Sequence, residues 1–179
     1  EKAWGRAAGL QKVLERMSRI RVFDPACGSG NFLVVSYREL RERETRILGR
    51  LKELQGDIQT SMWSSISLEN FYGIELTDFA AETAKLAMFI AEYQANSRFA
   101  EALGRKPVML PLRGGARIVC DNALRRDWEE VCPASESGEI AIISNPPFLG
   151  TTYRMADQRS DMKHVFGARI SSHGRLDLS

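Results

Sequence analysis

The chain has 179 residues and a formal net charge of +2, with 44% hydrophobic and 27% charged side chains. These proportions exclude a collagen-like or disordered chain, and the charge excess is too small to indicate a nucleic-acid partner by itself. No apolar run approaches the roughly 18 residues that a membrane-spanning helix needs, so we expect no membrane partner.

Cysteine and histidine usage argues against a metal centre. The three cysteines form no Cys-x-x-Cys pair, and their odd number predicts a reducing compartment rather than a disulfide framework. The two histidines, His164 and His173, both lie near the carboxyl terminus, so we predict no metal site. Because the first residues show no apolar signal region, we expect a cytoplasmic location, and the missing initiator methionine indicates a piece of a longer polypeptide.

Helices and strands alternate along the sequence, which predicts a layered α/β domain with a parallel sheet. The longest predicted helix carries two favourable i,i+4 ion pairs, Glu39–Arg43 and Glu42–Arg46. In chain order the predicted elements are helix 4–18, strand 21–24, helix 31–54, strand 71–75, helix 78–99, strand 117–120, helix 123–131, strand 140–144 and helix 156–166.

Two of these elements carry further predictions about a helix cap and about burial. Thr77 or Asp78 is expected to cap the helix over 78–99. The predicted buried face of that helix consists of Phe79, Thr83, Leu86, Ala87 and Ile90. The strand over 140–144 is a continuous apolar run, which is typical of a parallel strand covered on both faces.

The first candidate motif is the stretch DPACGSGNF at 24–32, which joins a predicted strand to a predicted helix. Glycines at this point allow the backbone to approach a ligand closely, and Asp24 suits a ligand with a cationic or hydroxyl-bearing part. The third glycine of the dinucleotide fingerprint is absent, because position 33 is Leu. A plain strand-to-helix turn remains the alternative.

Two further motifs follow the next predicted strands. Glu75 closes the second strand, where a carboxylate accepts hydrogen bonds from ribose hydroxyls, although a solvated Glu before a helix is an equal alternative. Asp121 and Asn122 close the third strand and are able to pair with an adenine edge. The alternative is that Asp121 only caps the short helix over 123–131.

The fourth motif, Asn145-Pro146-Pro147-Phe148, directly follows the last predicted strand. Proline donates no hydrogen bond and fixes its own backbone, so this turn is rigid and presents acceptors, namely the Asn145 side-chain oxygen and the Pro146 carbonyl. Two fixed acceptors beside an aromatic ring suit a planar substrate that bears an amino group. The alternative is a proline-terminated strand with a buried Phe.

The ordered set DPACGSGNF, GIEL, CDNAL and NPPF resembles the motifs of S-adenosylmethionine-dependent N6-adenine DNA methyltransferases. The stretches 71–82 and 145–177 are similar to the methylase domain of bacterial single-chain restriction–modification enzymes. The resemblance implies a Rossmann-like class I methyltransferase fold, a parallel sheet flanked by helices, truncated here after about four strands. Residues 1–20 would then lead into a partial methyltransferase domain over 21–179, without its C-terminal strands and target-recognition domain.

The resemblance also implies roles for individual residues. The residues that would hold the target base are Asn145, Pro146, Pro147 and Phe148. The residues that would bind S-adenosyl-L-methionine are Asp24, Pro25, Ala26, Gly28, Gly30, Phe32, Glu75, Leu76, Asp121 and Asn122. The implied partners are double-stranded DNA with one flipped adenine and the remainder of the same polypeptide, with a target-recognition domain and, as an open question, a nuclease domain.

Other functions compete with this hypothesis. The NPPF pattern also occurs in methyltransferases that act on protein glutamine side chains or on ribosomal RNA guanine. A nicotinamide-dependent oxidoreductase is disfavoured by the missing third glycine. A truncated, non-catalytic fragment that only binds the cofactor is the remaining alternative.

Overall fold

A computed structural model of the chain describes residues 2–56, 64–104, 114–136, 138–146 and 155–167, with side chains from Arg6 onward. Its helices are α1 (Lys2–Ser18), α2 (Asn31–Gln55), α3 (Asp78–Ala102), α4 (Trp128–Val131) and α5 (Ala156–Phe166), with a short 3-10 turn at Leu68–Asn70. Its strands are β1 (Arg21–Asp24), β2 (Phe71–Glu75), β3 (Arg117–Cys120) and β4 (Ile140–Ile142).

The described strands form one parallel sheet in the order β3-β2-β1-β4. The chain steps outward from β1 through β2 to β3 and then crosses back to place β4 on the other side of β1. This reversal makes the carboxyl ends of β1 and β4 the topological switch point, the place where open α/β sheets bind ligands. The residues that follow Asp24 and Ile142 are therefore the candidate ligand-binding residues.

Each face of the sheet packs against its own layer, because successive strand residues point to opposite sides. On one face, Val22 and Phe71 join a core with buried residues of α1, α2 and α3. On the other face, Phe23 and Tyr72 join a smaller core with Val131 at the end of α4. The described sheet therefore lies between two layers, as predicted for an α/β domain.

The predicted bounds of β1, β2, β3 and α5 are confirmed, and α2 differs from its prediction by one residue. The two predicted ion pairs of α2, Glu39–Arg43 and Glu42–Arg46, are also present. Periodicity works well here because α2 is amphipathic, with Leu33 fully buried on its inner face.

Helix α3 buries a different face from the one predicted. Phe79, Leu86 and Ile90 are 84%, 58% and 46% exposed. The buried residues are instead Ala81, Ala84, Met88, Ala91, Ala95, Phe99 and Ala100. The helix is apolar around most of its circumference, so periodicity does not identify the inner face. Alanines occupy that face because their small side chains let α3 approach its neighbours closely.

Two predictions about short elements are wrong. Strand β4 spans only Ile140–Ile142, and all three of its residues are exposed, so the described residues do not cover both of its faces. Burial is low because β4 lies at one edge of the described sheet. The helix predicted over 123–131 begins only at Trp128, and its cap is Asp127 rather than Asp121, since Asp127 accepts a hydrogen bond from the Glu129 amide.

A buried ion pair inside the helical layer was not predicted. Arg41 and Glu44 have side chains that are 4% and 2% exposed, and they lie 3.3 Å apart on α2. Glu44 also accepts hydrogen bonds from Ser64 and Ser65, while Arg41 donates to Asn96 of α3. The pair therefore ties α2 to α3 and to the segment that enters β2.

Candidate functional site

The turn after β1 requires glycine at two positions. Gly28 and Gly30 have φ angles of 53° and 83°, in the left-handed region that residues with a Cβ rarely adopt. A Cβ on Gly30 would lie 3.0 Å from the Ala84 Cβ of α3, so the turn also packs tightly against that helix. Among the described residues, no atom lies within 4 Å of the place where a Cβ of Gly28 would be, so these residues leave open space over this part of the turn.

Glu75, at the end of β2, holds this glycine turn in place. One carboxylate oxygen accepts a 3.0 Å hydrogen bond from the Gly28 amide, and the other accepts bonds from the amide and hydroxyl of Thr77. The Thr77 hydroxyl therefore serves Glu75 and makes no side-chain cap bond to α3. The first and second sequence motifs are in direct contact through these bonds.

Asp24, the last residue of β1, is a buried carboxylate with a free oxygen. It is 1% exposed, and its Oδ1 accepts hydrogen bonds from the Ala26 amide at 3.0 Å and from the Ser144 hydroxyl at 2.8 Å. Its Oδ2 is buried and has no hydrogen-bond partner among the described residues. Burial raises the pKa of the Asp24 carboxyl, and the hydrogen bonds from Ser144 and Ala26 partly oppose that effect.

Cys27 lies at the base of the same turn. Its thiol is buried, and burial together with the carboxylates of Asp24 and Glu75 raises its pKa to about 12. A Cβ on Gly73 would come within 2.9 Å of its sulfur, so glycine at that position of β2 makes room for the thiol. A neutral, enclosed thiol of this kind packs like a small apolar side chain and is a poor nucleophile.

The third motif leaves one carboxylate oxygen accessible at the end of β3. Asp121 is half-buried, its Oδ1 accepts a bond from the Asn122 amide, and its Oδ2 lies 3.7 Å from Arg126. The Asn122 side chain donates to Asp161 at 2.8 Å and accepts from the Leu124 amide. Asn122 is thus held by the protein, whereas Asp121 has acceptor capacity left.

The fourth motif begins beside the first. After β4 the Ile143 amide donates to the Phe23 carbonyl, and the next residue, Ser144, reaches Asp24. Asn145 is exposed and Pro146 is half-buried. Pro147 and Phe148 lie outside the described residues. The turn that carries the predicted acceptors therefore starts at the switch point, next to the glycine turn.

The remaining predicted cofactor residues lie near the ends of β1 and β2 and differ in how exposed their side chains are. Pro25 and Ala26 are half-buried within the turn. Phe32 and Leu76 are 46% and 69% exposed at the starts of the segments that follow β1 and β2. Exposed apolar side chains beside an open turn are able to line a ligand that rests on it.

Sequence reasoning missed two residues that organise the site. The first is Ser144, which directly precedes the NPPF turn. The second is Asp161 on α5, which is 5% exposed. Asp161 accepts a hydrogen bond from Asn122 and forms an ion pair with Arg125 at 2.5 Å. Nothing in the local sequence marks Asp161, because its partners lie more than 30 positions away. Ser144 carries a weak signal, since it is a polar residue that follows the apolar run of β4.

The carboxylate acceptors at these strand ends suit a nucleoside with a cationic group, such as S-adenosylmethionine. The Oδ2 of Asp24 would accept from an ammonium group, and Asp121 would accept from an adenine amino group. The Oε2 of Glu75, which has one donor among the described residues, would accept from a ribose hydroxyl. The open space above Gly28 leaves room for the ligand. The described part of the chain holds no group of three or more metal-ligating side chains.

Comparison with known proteins decides the family. The profile of the MmeI DNA-methyltransferase domain family matches residues 1–179. The chain belongs to this family. It is 44% identical over 170 residues to DNA methyltransferase A of Bacillus subtilis (strain 168). It also resembles the Type IIL restriction-modification enzyme MmeI, whose structure was solved in complex with DNA, with a TM-score of 0.86, 33% identity and 96% of this chain covered.

These relatives are much longer than the chain. It spans 19% of DNA methyltransferase A and 23% of the solved MmeI chain. The parallel sheet flanked by helices in this chain, together with its match to MmeI, confirms the Rossmann-like methyltransferase fold that the motifs predicted. None of the described helices of this chain is long and apolar enough to cross a membrane.

Proposed function

We propose that this MmeI-family domain transfers a methyl group from S-adenosyl-L-methionine to the N6 amino group of an adenine flipped out of double-stranded DNA, as part of a restriction–modification enzyme. The cofactor would supply a sulfonium-activated methyl group and be left as the thioether S-adenosylhomocysteine, and the methylated amino nitrogen would release one proton to solvent. The proposal places this domain in one polypeptide with a target-recognition domain and in a cytoplasmic setting. The name of its B. subtilis relative and the DNA-bound state of MmeI support DNA as the substrate.

The observation that carries the proposal is the contact between Ser144 and Asp24, 2.8 Å long. It supports a shared site, because it brings the start of the NPPF turn to the carboxylate that would bind the methionine part of the cofactor. Glu75 and Asp121 follow the next two strands along the same sheet edge, an order that suits the ribose and then the adenine of one extended nucleoside.

In this proposal Asn145 and Pro146 prepare the target nitrogen. The lone pair of the adenine amino group is delocalised into the ring, so the group is a poor nucleophile. The side-chain oxygen of Asn145 and the carbonyl of Pro146 would each accept a hydrogen bond from one of its two N–H groups and thereby localise that lone pair. Because these acceptors are fixed before the reaction, they also stabilise the positive charge that develops on nitrogen.

Positioning accounts for most of the proposed rate enhancement. Holding two reactants in line contributes on the order of 7–11 kcal/mol. Extruding the base costs a few kcal/mol, and stacking against Phe148 would offset about 1–3 kcal/mol of that. Neither a metal ion nor a covalent enzyme intermediate enters this scheme.

A transfer assay with isotopically labelled methyl groups tests the proposed substrate. A protein that carries this domain is incubated with labelled S-adenosylmethionine and duplex DNA, and the DNA is digested to nucleosides for mass spectrometry. We expect the label in N6-methyladenine and its loss in Asn145→Ala, with cofactor affinity unchanged. Label in another base, in ribosomal RNA or in protein glutamine would contradict the proposed substrate.

A further inference from the structure

Ser144 connects the two halves of the proposed site. Its hydroxyl donates to Oδ1 of Asp24 at 2.8 Å, and the same oxygen accepts the Ala26 amide at 3.0 Å. With two donors on Oδ1, the carboxylate has a fixed orientation, and Oδ2 is the oxygen left without a partner among the described residues. Because Ser144 precedes Asn145 directly, the same bond also fixes where the NPPF turn begins.

We propose that Ser144 is a positioning residue that acts through Asp24: its hydroxyl holds Oδ2 of that carboxylate free and charged for the ammonium group of S-adenosylmethionine. The same bond fixes the position of Asn145, the next residue, relative to that group. This inference rests on the proposed function, since it assumes that the cofactor occupies the site. It adds a role for a residue that lies outside the NPPF motif itself.

The Ser144 hydroxyl lowers the pKa of Asp24 and so favours the charged form of its carboxylate. Burial raises the pKa of this carboxyl, the hydrogen bonds from Ser144 and the Ala26 amide lower it, and the Glu75 carboxylate on β2 raises it. The other titratable neighbour is the Cys27 thiol on the turn, which stays neutral because its own pKa is raised to about 12. Without the Ser144 hydroxyl the pKa of Asp24 therefore rises further, and the carboxyl takes up a proton at a higher pH.

Calorimetric titration with S-adenosylmethionine at a series of pH values between about 5 and 8 separates this role from simple packing. The variants are Ser144→Thr and Ser144→Val, which have nearly the same shape and differ by the hydroxyl, together with Ser144→Ala. Ser97→Ala is the matched control, because the Ser97 hydroxyl donates to the Tyr93 carbonyl within α3, away from Asp24.

We expect Ser144→Thr and Ser97→Ala to bind as the wild type does. Ser144→Val and Ser144→Ala are expected to bind about tenfold more weakly, the usual effect of losing a hydrogen bond to a charged group. Their loss of affinity on acidification is expected to begin at a higher pH than in the wild type. A role in packing alone would not move this pH profile.

The outcomes distinguish this inference from the proposed function. If the wild type binds the cofactor and the Thr and Val variants share one affinity and one pH profile, the role of Ser144 is overturned while the proposed function stands. If the wild type shows no binding, the proposed function fails and the inference fails with it. Because the comparison is between Thr and Val, it remains decisive even if Ser144→Ala does not fold.

Discussion

At the scale of single residues, the site is built from carboxylates held at an energetic cost. Asp24 is buried, and one of its oxygens has no partner in the part of the chain that the structure describes; a buried acceptor without a partner destabilises a fold. Glu75 has both oxygens engaged by neighbouring loops. In the function proposed above, the ammonium group of the cofactor would pair with the buried oxygen of Asp24.

Replacing Asp24 with asparagine is expected to stabilise the protein at neutral pH. The folded-state pKa of Asp24 lies above its unfolded value, so its contribution to stability is full below the unfolded pKa and is lost as pH rises through the folded pKa. The asparagine side chain would keep an oxygen for Ala26 and Ser144 without a buried charge. Thermal unfolding at pH 7 should give a higher Tm for Asp24→Asn, and the difference should shrink on acidification; a lower Tm at pH 7 would contradict the account.

The cysteines are expected to differ sharply in reactivity. Cys27 is buried with a pKa raised to about 12 and Cys132 is buried as well, whereas Cys120 is exposed. Since the thiolate is the reactive form, brief treatment of the folded protein with iodoacetamide should label Cys120 alone. Peptide mass spectrometry identifies the labelled positions, with protein unfolded in guanidinium as the control. Labelling of Cys27 at the rate of Cys120 would show that the glycine turn is more open than described.

At the scale of elements, how well the sequence predicts a helix depends on its amphipathicity. Helix α2 has one clear apolar face; its ion pairs were predicted correctly and its bounds to within one residue. Helix α3 is apolar on most sides, and its bounds were nearly right while its buried face was wrong. The inner face of α3 is set by how closely backbones approach, which the hydrophobic pattern does not encode.

Two neighbouring residues of α3 test which face is buried. Met88 is fully buried and Leu86 is 58% exposed. Met88→Ala should lower the free energy of unfolding by about 2–5 kcal/mol, the usual cost of a cavity in a core. Leu86→Ala, its control, should change it by less than about 0.5 kcal/mol, as is usual at the surface. Urea unfolding measures both, and similar losses for the two variants would contradict the assigned orientation.

At the scale of the whole molecule, the strand order assembles what the sequence presents as separate motifs. Alternating helices and strands predicted the parallel sheet, and each motif was placed at a strand end. The sequence did not reveal the long-range bonds at those strand ends, from Ser144 to Asp24 and from Asn122 to Asp161 of α5. Such bonds depend on the relative positions of elements, and no local pattern reports them.

Asp161 is expected to stabilise the fold by joining α5 to the segment after β3. It is buried and accepts hydrogen bonds from Asn122 and Arg125. Asp161→Ala should lower the free energy of unfolding by about 1.5–3 kcal/mol, since it removes hydrogen bonds to a charged group. Ser160→Ala, at an exposed position of the same helix, should change it by less than about 0.5 kcal/mol. Equal losses in the free energy of unfolding for the two variants, measured in denaturant, would contradict the described packing of α5.

The central claim is that the ends of the parallel strands form one S-adenosylmethionine site with Asp24 as its anionic centre. Isothermal titration calorimetry of the chain with S-adenosylmethionine tests this claim most directly. We expect one S-adenosylmethionine binding site per chain. We also expect an affinity for S-adenosylmethionine at least about tenfold lower in Asp24→Asn and unchanged in Ser97→Ala. Absence of binding by the wild type, or equal affinity in Asp24→Asn, would contradict it.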